Sequence, residues 1–326
     1  MTNPQLQSNA SSGIAGLWPH FGFVLVYVLW GINISSLKIG AQEWNPLVFN
    51  GLRYVIIVPF LWIYAYGFLR RRELSFRMPP RDLLLICGLG VLSAIGMEAM
   101  LQYALQFSNA ANGAVLGRGF MPIVTVILSL LLREIRLSWS IAIGLPAAFA
   151  GVLLIVSGGA GGFHFGPDTL RGDVLLLLRS FMGAFYLIGM NRLVAKYPLP
   201  LLLAFEMTAG AVSLLPFVLT LTDTHQLAQI SPVGWGTLLY TALLATLAGF
   251  AIHNASLARL GPFKSSAYGY LLPLTAAVGG WLLLGEGISA YQYAGGAFIL
   301  AAMYVIQRDR MQTMHRKQPQ APGGNH

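Results

Sequence analysis

Apolar residues fill ten stretches of the chain, roughly 18–38, 46–68, 82–105, 109–132, 138–158, 172–194, 198–221, 233–258, 262–284 and 289–307. Each is close to the length of about 20 residues that a helix needs to cross the hydrocarbon core at about 1.5 Å per residue. Polar breaks between them are short, and Pro46, Pro198, Pro200 and Pro262 punctuate several starts. The alternating apolar-polar pattern of a membrane β-barrel is absent. The pattern predicts an all-α polytopic membrane protein of ten transmembrane helices.

Composition supports this class: 56% of residues are hydrophobic, 10% are charged, and the mean hydropathy is +0.66. A formal charge of +9 raises the question of nucleic acid. The basic residues answer it. With the N-terminus inside, Arg70, Arg71, Arg72, Arg77 and Arg81, then Arg133 and Arg136, Arg192 and Lys196, Arg259 and Lys264, and Arg308, Arg310, Arg316 and Lys317 all face the cytoplasm. The charge is a topology signal, both termini are expected in the cytoplasm, and no nucleic-acid partner is expected. Cys87 is the single cysteine, so no intrachain disulfide forms. Residues 1–17 lack lysine and arginine and are read as a short disordered lead-in rather than a cleaved signal. Six of the seven tryptophans fall near expected helix ends; Trp30 sits mid-span.

The chain repeats itself at an offset of about 151 residues, Pro122 falling on Pro273 and Gly144 on Gly295. Leu131-Leu132-Arg133-Glu134 returns as Leu283-Leu284-Gly285-Glu286, and Trp30-Gly31 as Met182-Gly183, each one residue out of step. The expected organisation is a first repeat over 18–158, a Gly-rich link over 159–171, a second repeat over 172–307 and a disordered basic tail over 308–326. Five spans per repeat is an odd number, so the second inserts upside down relative to the first. Inverted repeats are typical of secondary transporters that bind substrate between the halves near the midplane.

Trp30-Gly31, Pro46 followed by Arg53, and the two Pro…Glu segments ending at Glu134 and Glu286 resemble the EamA family of the drug/metabolite transporter superfamily. The resemblance covers about 18–307. It implies a carrier fold and a small-molecule cargo, in a superfamily that moves amino acids, drugs, nucleotide sugars and other metabolites. Gly117-Arg118-Gly119 departs from it, placing a charge where that family usually has small apolar residues.

Ionisable groups within spans are costly and mark function or pairing. Arg53, Arg118, Arg179 and Glu98 all fall in the outer half of the membrane, three cations for one anion. Glu206 and His253 fall in the inner half, close enough in depth to meet. Arg53 is read as structural, Arg179 as snorkelling outward, and Glu134 and Glu286 as helix-end caps. Arg118, whose planar fork suits a carboxylate, is the expected substrate anchor together with Glu98. Trp30, Tyr103, Tyr186, Tyr268 and Tyr270 are the expected apolar and aromatic neighbours. Glu206 is the expected proton carrier if transport is coupled to protons.

Nucleotide-loop, dinucleotide and paired-histidine metal motifs are missing, so neither enzyme, cofactor nor metal is expected. The expected function is export of amino acids or related carboxylates across the inner membrane by alternating access. A drug or nucleotide-sugar carrier, a flippase for lipid-linked carriers and, more distantly, a membrane-embedded enzyme are the alternatives. The partners are the bilayer, the cargo and protons if coupled.

Overall fold

The structure is a computed structural model and describes residues 14–133, 138–157, 167–222 and 224–317. Seven helices among the described residues are long and apolar enough to cross a membrane: α1 (Leu17–Glu43), α2 (Pro46–Arg71), α3 (Pro80–Ala104), α4 (Asn112–Leu131), α6 (Leu170–Val194), α7 (Leu199–Leu221) and α8 (Pro232–Leu260). Two shorter apolar helices, α5 (Trp139–Leu154) and α9 (Leu271–Leu284), join them, and the last long helix α10 (Ala290–Lys317) completes ten. Large apolar side chains such as Phe60, Ile63, Leu153, Leu219 and Trp281 cover the outside, where lipid is their solvent.

The packing is that of two inverted five-helix repeats. α1 lies against α8 and α9, and its counterpart α6 lies against α3 and α4. α2 pairs with its counterpart α7, and α5 with α10. Exchanging the halves therefore returns the same set of contacts. The Trp30-Gly31 and Met182-Gly183 echoes acquire a physical reason here. A Cβ on Gly31 would collide with Thr275 Oγ1 on α9, and one on Gly183 would collide with Met121 Sδ on α4. Each glycine lets the first helix of one half touch the fourth helix of the other.

Three segments depart from regular α-helix. Leu92–Ala99 in α3, Val115–Gly119 in α4 and Tyr240–Ala248 in α8 widen to π-helix. The α3 and α8 segments are again counterparts. Widened turns leave carbonyls without their usual partners and often mark functional positions.

Some boundaries differ from expectation. Pro262 does not open a span: helix runs through it to Ser266, and a tight 3₁₀ turn over Ala267–Tyr270 precedes α9 instead. The tail expected to be disordered from 308 is helical to Lys317, because no breaker precedes Pro319. Helix begins at Ile14 rather than 18. Trp44 is buried rather than interfacial, donating to Gly234 O at 3.1 Å and packing edge-on against Trp235. Glu134, Arg136 and most of the Gly-rich link lie outside the described residues.

Candidate functional site

A cavity of about 420 Å³ lies between the two halves. Both repeats line it, with Trp30, Arg53, Glu98 and Arg118 from the first, and Tyr186, Glu206, Phe250 and Pro273 from the second.

One part of it is a knot of charge. Glu98 receives Arg53 Nη1 at 3.3 Å, Arg118 Nη2 at 3.4 Å and Arg179 Nη2 at 3.4 Å. Three cations thus share one carboxylate, an excess of two positive charges within the membrane. The three arginines are not equivalent. Arg53 and Arg179 side chains are 3% and 2% exposed, while Arg118 keeps 25% open.

The widened helices explain how Arg179 is held. It donates through Nε to Met97 O at 3.0 Å and through Nη1 to Gly117 O, carbonyls of the π-segments in α3 and α4. Ser180 donates to Leu116 O at 2.5 Å. The expectation that Arg179 snorkels outward is not met. The side chain turns inward, because these carbonyls and Glu98 solvate it better than lipid does. Arg53 lies with its Cζ 4.9 Å from the centre of the Tyr54 ring. The Nε of Arg53 and of Arg118, and Oδ1 of Asn33, are buried on this cavity without a protein partner.

Another part differs. Glu206, fully packed at 2% exposure, accepts a hydrogen bond from Tyr186 Oη at 2.9 Å. Ser93, Tyr54 and Met207 surround it on the cavity wall. Tyr27, Trp30 and Phe250 form an aromatic side, with Trp30 pinned by donation from Nε1 to Ala245 O at 2.8 Å.

Several expected site residues stand elsewhere. Glu206 and His253 do not meet as their depths suggest. His253 is set in an aromatic cluster, 5.3 Å from Phe23 and 5.2 Å from Trp30 between ring centres, while Glu206 faces Tyr186. Tyr103 does not line the cavity: it is exposed and accepts from Arg171 Nη2 at 2.9 Å. Its turn of α3 lies beyond Glu98, toward the end of the helix. Tyr268 is stacked on Phe23 and hydrogen-bonded to His20, behind the aromatic wall. The side chain of Tyr270 lies outside the described residues. The sequence reading misses Tyr27, Tyr54, Ser93 and Phe250. Tyr27 is findable, since it stands three residues before Trp30 and so on the same face.

Beyond the arginines the end of the molecule is tied shut. Lys38 reaches Glu286 at 2.5 Å and Ser108 O at 2.7 Å, and the other Glu286 oxygen accepts from Ala110 N at 2.9 Å. Glu286 therefore does cap a helix, but one in the opposite half. Asp173, buried and passed over in the sequence, accepts from Ser108 at 2.7 Å and Asn112 at 2.9 Å, and Asn112 accepts from Gln292 at 2.8 Å. Among the described residues, no group of three or more His, Cys, Asp or Glu is arranged to hold a metal ion.

Known proteins match this architecture. A protein of Salmonella typhimurium named "Probable amino-acid metabolite efflux pump" is 28% identical over 289 residues, covering 86% of this chain and 92% of that one. "Uncharacterized inner membrane transporter YedA" of Escherichia coli strain K12 is 26% identical over 296 residues, covering 89% and 91%. One crystal structure shares the fold with a TM-score of 0.59 at 17% identity, covering 91% of this chain and 98% of its own. The model of the EamA-like transporter family matches twice, over residues 17–157 and 170–308. The chain belongs to the EamA-like transporter family: it is a multi-pass membrane transporter, not an enzyme.

Proposed function

We propose that this transporter exports amino acids or closely related carboxylates across the inner membrane by alternating access, with both termini in the cytoplasm. The observation that carries the reading is the sharing of Glu98 by three arginines inside a cavity between the halves. A surplus of buried positive charge is costly, and an anionic cargo offsets it. Arg118 is the anchor, since it is the most open of the three and its fork grips a carboxylate in two places. Arg53 and Arg179 hold Glu98, and Arg179 also ties the π-segments of α3 and α4.

The relatives named amino-acid metabolite efflux pumps favour amino acids and the outward direction. The cavity's size and its aromatic side fit a cargo of amino-acid dimensions. The domain organisation proposed with it is one carrier half on each side of the Gly-rich link.

Counterflow in proteoliposomes tests this. Vesicles loaded with unlabelled amino acids should accumulate external labelled amino acid above equilibrium. Absence of accumulation, in vesicles that hold folded protein, would move drugs, nucleotide sugars and lipid-linked cargo ahead.

A further inference from the structure

The cavity carries both signs of charge, as a zwitterion does. The arginine knot that includes Arg118 and the buried carboxylate of Glu206 both line it. Glu206 stands seven residues beyond Leu199 and Arg118 eight beyond Ala110, where their helices begin, and on the proposed topology these helices enter from opposite faces. At about 1.5 Å per residue in a core of about 30 Å, their backbones are separated by about 8 Å in depth. Both side chains line one cavity, and an amino-acid head group carries the two charges that complement them.

Glu206 is also the carboxylate that the arginine knot does not neutralise. Tyr54 and Arg53 face it from α2, Ser93 and Glu98 from α3, and Tyr186 from α6; α8 presents Ala245, Thr246 and Phe250. No ion pair to Glu206 is found among the described residues, and its hydrogen-bond partners are the Tyr186 hydroxyl and the Ser93 side chain. A buried carboxylate held this way has room for one cation or one proton.

We propose that Glu206, oriented by Tyr186, binds the ammonium group of the cargo, and that a proton and that ammonium exclude each other there. This rests on the reading that Arg118 takes the cargo's carboxylate. The exclusion follows from charge, since a protonated carboxyl no longer attracts an ammonium. It makes the cargo and the proton alternate occupants of one site, which is the condition for exchanging one against the other. It also makes Glu206 a specificity residue. A carboxylate without an amino group leaves Glu206 buried against methylene groups, and such sites reject analogues that lack the expected N–H.

The experiment uses the full-length protein in nanodiscs with phenylalanine, whose ring suits the wall of Tyr27, Trp30 and Phe250, and with 3-phenylpropanoate, which lacks the amino group. Affinity and proton release are measured for each. Wild type is expected to bind phenylalanine at least about tenfold more tightly and to release protons on binding it. In Glu206→Gln the two ligands should bind alike and proton release should vanish. Glu206→Asp should restore release. A ratio unchanged in Glu206→Gln, or no proton release by wild type, overturns the proposal. 2-Phenylethylamine separates it from the carboxylate reading. Should neither acid bind, amine binding that Glu206→Gln abolishes keeps the ammonium site and rejects the Arg118 reading. Failure of the amine to bind as well rejects both.

Discussion

Arg118 meets Glu98 at 3.4 Å across α3 and α4, a contact long enough to leave the guanidinium partly uncommitted. The same carboxylate is drawn by Arg53 and Arg179 from two other helices. Glu98 is therefore the keystone of the knot and Arg118 its open edge, and the two make opposite demands on mutation.

Removing Arg118 should cost function more than folding. Arg118→Ala leaves Glu98 with two arginines and relieves part of the excess charge. Carboxylate transport should fall at least about tenfold with the melting temperature nearly unchanged. Arg118→Lys should recover part of it, since a lysine keeps the charge and loses the fork. Transport kinetics and thermal unfolding on the same preparations decide the matter.

Removing Glu98 should cost folding. Glu98→Gln leaves three arginines in the membrane without their carboxylate, and breaking a buried pair this way costs about 3–5 kcal/mol. Low yield and a lowered unfolding temperature are expected. Replacing Arg179 by glutamine in the same chain should return less than full stability, because Arg179 also ties the carbonyls of Met97 and Gly117. Stability equal to wild type in Glu98→Gln would contradict the pairing.

Gly31→Val should separate α1 from α9. Its side chain would enter the space of Thr275 Oγ1 and Ala276 N, and overpacking of this kind costs about 1–3 kcal/mol. Unfolding measurements should show the loss, and Thr275→Ala should recover part of it.

Lys38→Ala should loosen the end of the molecule that Glu286 closes. Ser36 is buried on the same helix, about 3 Å of helical rise nearer the cavity than Lys38. In a Cys87→Ser background, a cysteine replacing Ser36 should react several-fold faster with an impermeant thiol reagent when Lys38 is removed. Equal rates would show that the Lys38–Glu286 pair does not hold that end shut.

The span count, the repeat and the gathering of Arg53, Glu98, Arg118 and Arg179 at one depth were legible in the sequence. They stem from hydropathy, helical rise and an odd number of spans, which need no side-chain positions. Rotation about each helix axis was not legible. Tyr103 and Glu98 share α3, yet one faces Arg171 on the surface and the other the cavity. The π-segments shift rotation further, since each widened turn displaces the residues beyond it, and composition carries no signal for them. The inward turn of Arg179 depends on carbonyls within those segments. Asp173 was passed over because an acid near a helix start reads as solvated, whereas Ser108 and Asn112 bury it.

The central claim is that a carboxylate on the cargo is gripped by Arg118, and one comparison tests it most directly. In counterflow, phenylalanine and its amide, which keeps the amino group and lacks the carboxylate, compete for uptake of labelled amino acid in vesicles carrying wild type or Arg118→Ala. The account predicts that the free acid competes at least about tenfold better than the amide in wild type, and that this advantage collapses in Arg118→Ala. Equal competition by acid and amide in wild type, or an advantage that survives the loss of Arg118, would contradict it.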